Sequence, residues 1–156
     1  MAQFTASTKA TEVQRKEDEI LAIPMQDNVV IYKGDLVLAD MTTGGARPVY
    51  ATGTTGDCFM GVAMETVDNT TDGHVSLGKK VRVYRTGSFQ FSVAATAAQT
   101  SVGKAYYTDV STAGSPTTVA TAASKASYVG ICTEFVDATH IRVGIKTNDI
   151  LNLGAA

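Results

Sequence analysis

The residues of this chain that could do chemistry are few, and several occur twice. Asp40 and Asp109, Glu65 and Glu134, and Asp68 and Asp137 are each separated by 69 positions. A pair of carboxylates held about 5–10 Å apart would suit general acid–base cleavage of a glycosidic bond. However, the 156 residues contain no tryptophan and no aromatic cluster to serve as a sugar platform. The aspartates stand where predicted strands meet loops, a position in which the side chain accepts bonds from nearby amides and fixes a turn. That structural role is the expectation for all four. Glu65 and Glu134 each have an arginine at the matching place, Arg82 and Arg142. Cross-strand ion pairs that pin the strand register are expected there.

Other candidates carry less. His74 and His140 lie in loops or at a strand end and belong to no metal-binding spacing or nucleophilic triad. Cys58 and Cys132 lack the C-x-x-C spacing of a zinc or redox pair and read as two small buried side chains. The string SVGKAYYTD superficially suggests a phosphate loop. Ala98 stands where the first glycine is required, and Ala105 follows Lys104 where a hydroxyl is needed to hold magnesium. TTGGARP and ATGTTGD are Gly/Thr-rich but lack the strand-to-helix context that converges amides on phosphate, so they read as surface loops. No enzyme activity, cofactor or metal is expected.

The duplicated residues belong to a duplicated phrase. FMGVAMETVDN (59–69) returns as YVGICTEFVDA (128–138), matching Gly61 with Gly130 as well as the acids. The same offset sets GDLVLAD on GKAYYTD, pairing Gly34 with Gly103, and lays ILAIP (20–24) on FQFSV (89–93). Beyond the phrase the offset falls to 60: VRVYRT matches IRVGIK once the longer NTTDGHVSLGKK hairpin loop of the first copy is passed. A length change confined to a loop is what a duplicated structure tolerates best. The expected organisation is a polar arm (1–19), a single β domain (20–146) built from units 20–86 and 89–146, and a tail (147–156).

Runs rich in Val, Ile, Tyr and Phe, with 22 threonines, predict strands at about 20–24, 28–32, 35–39, 58–67, 79–86, 88–94, 103–108, 127–136 and 140–146. The fold class is therefore all-β, a pseudo-duplicated β-barrel or β-sandwich-like body with an extended N-terminal arm. The repeated phrase is apolar or small on both faces, which suits a barrel wall covered by a neighbouring lobe or subunit. Gly61 and Gly130 predict a bulge or a close backbone approach within that wall. The arm is polar and mixed in charge; TEVQRKEDEIL could form a short helix capped by Thr11, and the arm reads either as a frayed terminus or as a segment that orders against a partner.

Composition narrows the partners. Charged residues are 18% of the chain and the formal net charge is −2, so there is no basic footprint for a nucleic-acid backbone. No apolar run approaches the ~20 residues that cross a bilayer, and the N-terminus lacks the apolar stretch of a secretory signal. A soluble protein made in the cytosol, without direct contact to nucleic acid or membrane, is expected.

The order of KGDLVLAD, GVAMETV, VRVYRTG, VGKAYYTD, VGICTEF and IRVGIK over residues 20–146 resembles the head-decoration, or capsid cement, proteins of tailed bacteriophages. The resemblance implies a β-barrel or β-sandwich-like body, commonly a homotrimer, on the outside of the expanded shell and synthesised in the host cytoplasm. It also implies an N-terminal arm that docks on the major capsid protein. Phe4 and Val13 would fill apolar pockets in that contact, with Gln14, Arg15 and Lys16 beside them. The longer charged arm and the NTTDGHVSLGKK loop depart from the simplest members of that family. The alternative is a receptor- or glycan-binding β module of a phage tail or fibre, presenting Tyr50, Tyr106 or Tyr107 on loops.

Overall fold

The structure is a computed structural model that describes residues 20–49, 57–71, 78–109, 117–121 and 126–146. The fold is all-β. Twelve strands lie among the described residues: β1 (Ile20–Pro24), β2 (Val30–Ile31), β3 (Leu36–Ala39), β4 (Ala46–Pro48), β5 (Cys58–Ala63), β6 (Val67–Asp68), β7 (Lys80–Tyr84), β8 (Thr86–Val93), β9 (Ala105–Thr108), β10 (Thr118–Ala120), β11 (Tyr128–Asp137) and β12 (His140–Lys146). In β7, buried Val81 and Val83 alternate with exposed Lys80, Arg82 and Tyr84, the period-two pattern of a strand with one wet face.

Ten of the strands form two similar five-stranded sheets, one a barrel bridged at a single point and the other a fully closed barrel. One sheet runs β1-β7-β5-β3-β4, and the other closes on itself in the order β10-β8-β12-β11-β9. Under the sequence repeat these orders are the same, with β8, β12, β11, β9 and β10 standing for β1, β7, β5, β3 and β4. The pairing agrees residue by residue. Val37 faces Gly61 and Leu38 faces Phe59, with a bulge at Met60; Tyr106 faces Gly130 and Tyr107 faces Tyr128, with a bulge at Val129. The barrels differ at the seam. Parallel pairing of β10 with β8 shuts the second, whereas the first has one bridge there, Met25 to Ala46.

Four sequence expectations change. Ile23 pairs with Val81 while Phe91 pairs with Ile141, so ILAIP corresponds to SFQFS, one residue before FQFSV. A one-residue slip exchanges the two faces of a strand, and this register keeps Ile23 and Phe91 inside. The strand predicted over 58–67 stops at Ala63, and Val67–Asp68 pairs instead with Val30–Ile31. β8 begins at Thr86, opposite Lys146, two residues before the strand predicted from 88. The stretches 41–57 and 110–126, read as loops, contribute β4 and β10, the strands at each seam.

Two apolar clusters hold this body together. Ile23, Met25, Val37, Val81 and Val83 fill the first barrel, with Val29 and Ile31 beside the short β2 and β6 pair. Phe91, Tyr106, Val119, Val129, Ile141 and Val143 fill the second, and the same cluster continues into Leu36, Leu38, Phe59 and Val62 of the first unit. At ~1.5–3 kcal/mol for each large apolar side chain removed from water, those four alone are a strong reason for the units to fold as one. β3 and β5 are thus apolar on both faces because one lines a barrel and the other meets its twin.

Candidate functional site

The duplicated acids are built into turns and registers. After β6 the Asp68 carboxylate accepts from the Thr70 amide at 2.7 Å and from the Thr70 hydroxyl. After β11 Asp137 accepts from the Thr139 amide at 2.7 Å and its hydroxyl at 2.8 Å, and lies 3.1 Å from His140 Nδ1. The Thr139 amide and hydroxyl, and to a lesser degree His140, pull the Asp137 carboxyl down to about 2 against opposing desolvation. Asp40 accepts from the amides of Thr42 and Thr43 at 2.6 and 3.2 Å. Desolvation pushes its carboxyl upward, but these amides, together with Gln26 and Arg47, outweigh it and leave the group below its ordinary range. Asp109 is buried beyond the end of β9.

Both glutamate–arginine pairs form. Arg82 clasps Glu65 with Nε at 2.9 Å and Nη2 at 3.1 Å, and these bonds draw the Glu65 carboxyl down. Arg142 stands opposite Glu134 in the ladder and donates from Nη1 at 2.7 Å. The glycines are equally structural. Gly34 and Gly103 take φ values of 93° and 87° in the turns that open β3 and β9. A Cβ on Gly61 would overlap the Tyr84 carbonyl oxygen, and one on Gly130 would overlap that of Gly144. The bulge and the close approach therefore coincide.

A buried polar seam was not visible in the sequence. Arg47 of β4 is 3% exposed and pairs with buried Asp57, donates to the Pro48 carbonyl at 3.2 Å, and lies 3.7 Å from Asp40. Gln26 donates to the same Asp40 carboxylate at 2.7 Å. From the second unit, Ser127 donates its hydroxyl to the Asp57 carbonyl at 2.6 Å, while its own amide is held by the Thr108 hydroxyl at 2.9 Å. TTGGARP thus ends in a buried strand, where a surface loop was expected, because the guanidinium finds an acid to neutralise it. Losing either member would strand a buried charge, at about 3–5 kcal/mol. An arginine beside a proline carries no local mark of such a partner.

Several candidates resolve simply. The Gly103 amide bonds to the Cys132 carbonyl at 2.8 Å and that of Lys104 to Ser101 at 3.1 Å, so neither converges on an anion. Cys58 and Cys132 are not joined to each other. Tyr106, expected on a loop, is 3% exposed in the second barrel's core, because it is an inward residue of β9. Tyr107 faces the other way and meets Tyr128 edge-on at 5.7 Å between ring centroids. Among the described residues, no group of three or more His, Cys, Asp or Glu could hold a metal ion, and no helix is long and apolar enough to cross a membrane. Phe4, Val13, Gln14, Arg15 and Lys16, with His74, Tyr50 and the tail 147–156, lie outside the described residues.

No family model matches this chain, and no curated protein is significantly similar to it.

Proposed function

We propose that this chain is a non-catalytic structural protein of a phage virion, a decoration protein that binds the outside of the expanded head and stabilises it. The observation that carries the reading is the use made of the duplicated acids. Asp40, Asp68 and Asp137 cap turns, and Glu65 and Glu134 pin strand registers, in a body where the apolar cluster of the second barrel continues into the first unit. Such a body is suited to bearing load. The sequence resemblance over residues 20–146 supplies the shell and the major capsid protein as partner, with self-association as a homotrimer. Many modest contacts repeated over a lattice would add up through multivalency.

Residues 1–19 lead directly into β1, which pairs along one side with β7. In this reading they reach the capsid protein, with Phe4 and Val13 as apolar anchors and Gln14, Arg15 and Lys16 as polar contacts. Co-sedimentation with expanded shells that lack the protein tests both parts. The full chain should pellet with the shells, and a full-length Phe4→Asp/Val13→Asp variant should stay in the supernatant. A full chain that stays in the supernatant overturns the capsid reading. Equal pelleting of both proteins moves attachment from the arm to the barrels.

A further inference from the structure

The outer wall of the second barrel carries two phenols side by side. Tyr107 of β9 and Tyr128 of β11 are direct partners in the antiparallel ladder. The adjacent Thr108 amide bonds to the Ser127 carbonyl at 2.9 Å, so the tyrosines occupy the next, non-hydrogen-bonded position, where opposed side chains approach most closely. Their ring planes stand at 73°, with 5.7 Å between centroids. Burial pushes the Tyr128 phenol up and the Tyr107 phenol adds to the effect, which requires the two hydroxyl ends to lie within electrostatic reach. Both side chains are half-buried, so their surroundings hold them while small solutes still reach them. The arrangement is particular to this place. The matching pair in the first barrel is Leu38 and Phe59, both buried. Among the other described tyrosines, Tyr106 is buried in the core, Tyr84 meets Phe89, and Tyr32 projects into solvent at 59% exposure.

We propose that Tyr107 and Tyr128 form an oxidative modification site, at which a peroxide-driven one-electron oxidant of the haem-peroxidase class couples the two rings of one chain into dityrosine. Each phenol gives one electron to the oxidant and its hydroxyl proton to water, leaving two phenoxyl radicals with spin on the ring carbons beside the oxygen. Rotation about χ2 brings one Cε of each ring together, and a C–C bond forms between them. The hydrogen on each joined carbon then leaves as a proton while a proton returns to each oxygen, which restores both rings and both hydroxyls. In total the chain loses two hydrogen atoms, and one hydrogen peroxide becomes two waters. The product links β9 to β11 covalently beside Ser127, whose hydroxyl joins the two barrels. Coupling within one chain is favoured because the fold has already brought the reacting groups together. This site does not rest on the capsid reading, and its test needs no shells.

The test treats the full chain with a haem peroxidase and hydrogen peroxide, followed by dityrosine fluorescence, denaturing gel electrophoresis and mass spectrometry of a digest. The expected product is a fluorescent single chain lighter by two hydrogen atoms, in which the peptides bearing Tyr107 and Tyr128 are joined. Its yield per chain should stay constant on dilution, because the reaction needs no encounter between chains. Tyr107→Phe and Tyr128→Phe each delete one hydroxyl and keep the ring packing, and each should abolish the cross-linked single chain. Fluorescence confined to covalent dimers overturns the proposal, as does a cross-link that joins any other pair of tyrosines within the chain. So does a cross-linked single chain that survives in either variant. A parent chain that does not couple while free tyrosine couples under the same conditions overturns it equally.

Discussion

The hydroxyl of Ser127 donates to the main-chain carbonyl of Asp57 at 2.6 Å, joining the strand start of one barrel to that of the other across 70 positions of chain. Both groups are buried, and the acid whose carbonyl is used also neutralises Arg47. Ser127→Ala leaves that carbonyl without its hydroxyl donor while keeping the main-chain bond between Thr108 and Ser127. The expected loss is about 1–3 kcal/mol, the cost of leaving a buried polar group without its partner. Urea unfolding followed by circular dichroism should show a lower midpoint with an unchanged slope. An unchanged midpoint would mean that apolar contact alone holds the barrels together.

Gly61 and Gly130 are equivalent in sequence but are not expected to be equally sensitive. Alanine at either overlaps a carbonyl of the neighbouring strand, at about 1–3 kcal/mol for overpacking. Gly61 alone also has a positive φ, 142°, which adds about 1–3 kcal/mol of backbone strain for any other residue. Gly61→Ala should therefore unfold at lower denaturant than Gly130→Ala, and both below the parent. Equal midpoints for the two variants would contradict the φ difference.

Asp137 should titrate near pH 2, well below the usual 3.8, when followed by carboxyl-detected NMR. Because the folded-state value is depressed, its stabilising contribution is present above 3.8 and is lost as the pH falls through about 2. Thr139→Ala removes one donor and keeps the amide, so the midpoint should rise only part of the way back. A midpoint that does not move would assign the whole effect to the amide and His140.

How much of this was readable from the sequence depended on the length of each element and the parity of its residues. The bulge at Met60 and Val129 could be expected because a glycine inside an apolar phrase recurs at the same place in both copies. The glutamate–arginine pairs were equally open to view, since both partners are duplicated. β4 and β10 have three residues each, too few to show an alternation, and β4 ends in Pro48. The slip between β1 and β8 arose because no identical residue anchors that alignment. Facing Phe89 and Phe91 with Leu21 and Ile23, inward residue on inward residue, would have corrected it. Parity also separates Tyr106 from Tyr107: adjacent residues of one strand cannot both point outward. The Arg47–Asp57 pair had no such signal, because its members meet only after β4 and β5 have both joined β3 or its flank.

The contact between the barrels also sets an order of events on the ribosome. β1 must wait for β7, so the first barrel becomes complete only when Tyr84 has emerged. Even then its Leu36, Leu38, Phe59 and Val62 face has nothing to meet, because the cluster that covers it includes Ile141, Val143 and Ile145 of β12, the last strand in the described residues. A half-made chain therefore carries an apolar side open to other nascent chains. Synthesis of the second half acts as an intramolecular chaperone for the first, and a pause between Tyr84 and Ile141 is the interval in which aggregation competes with completion.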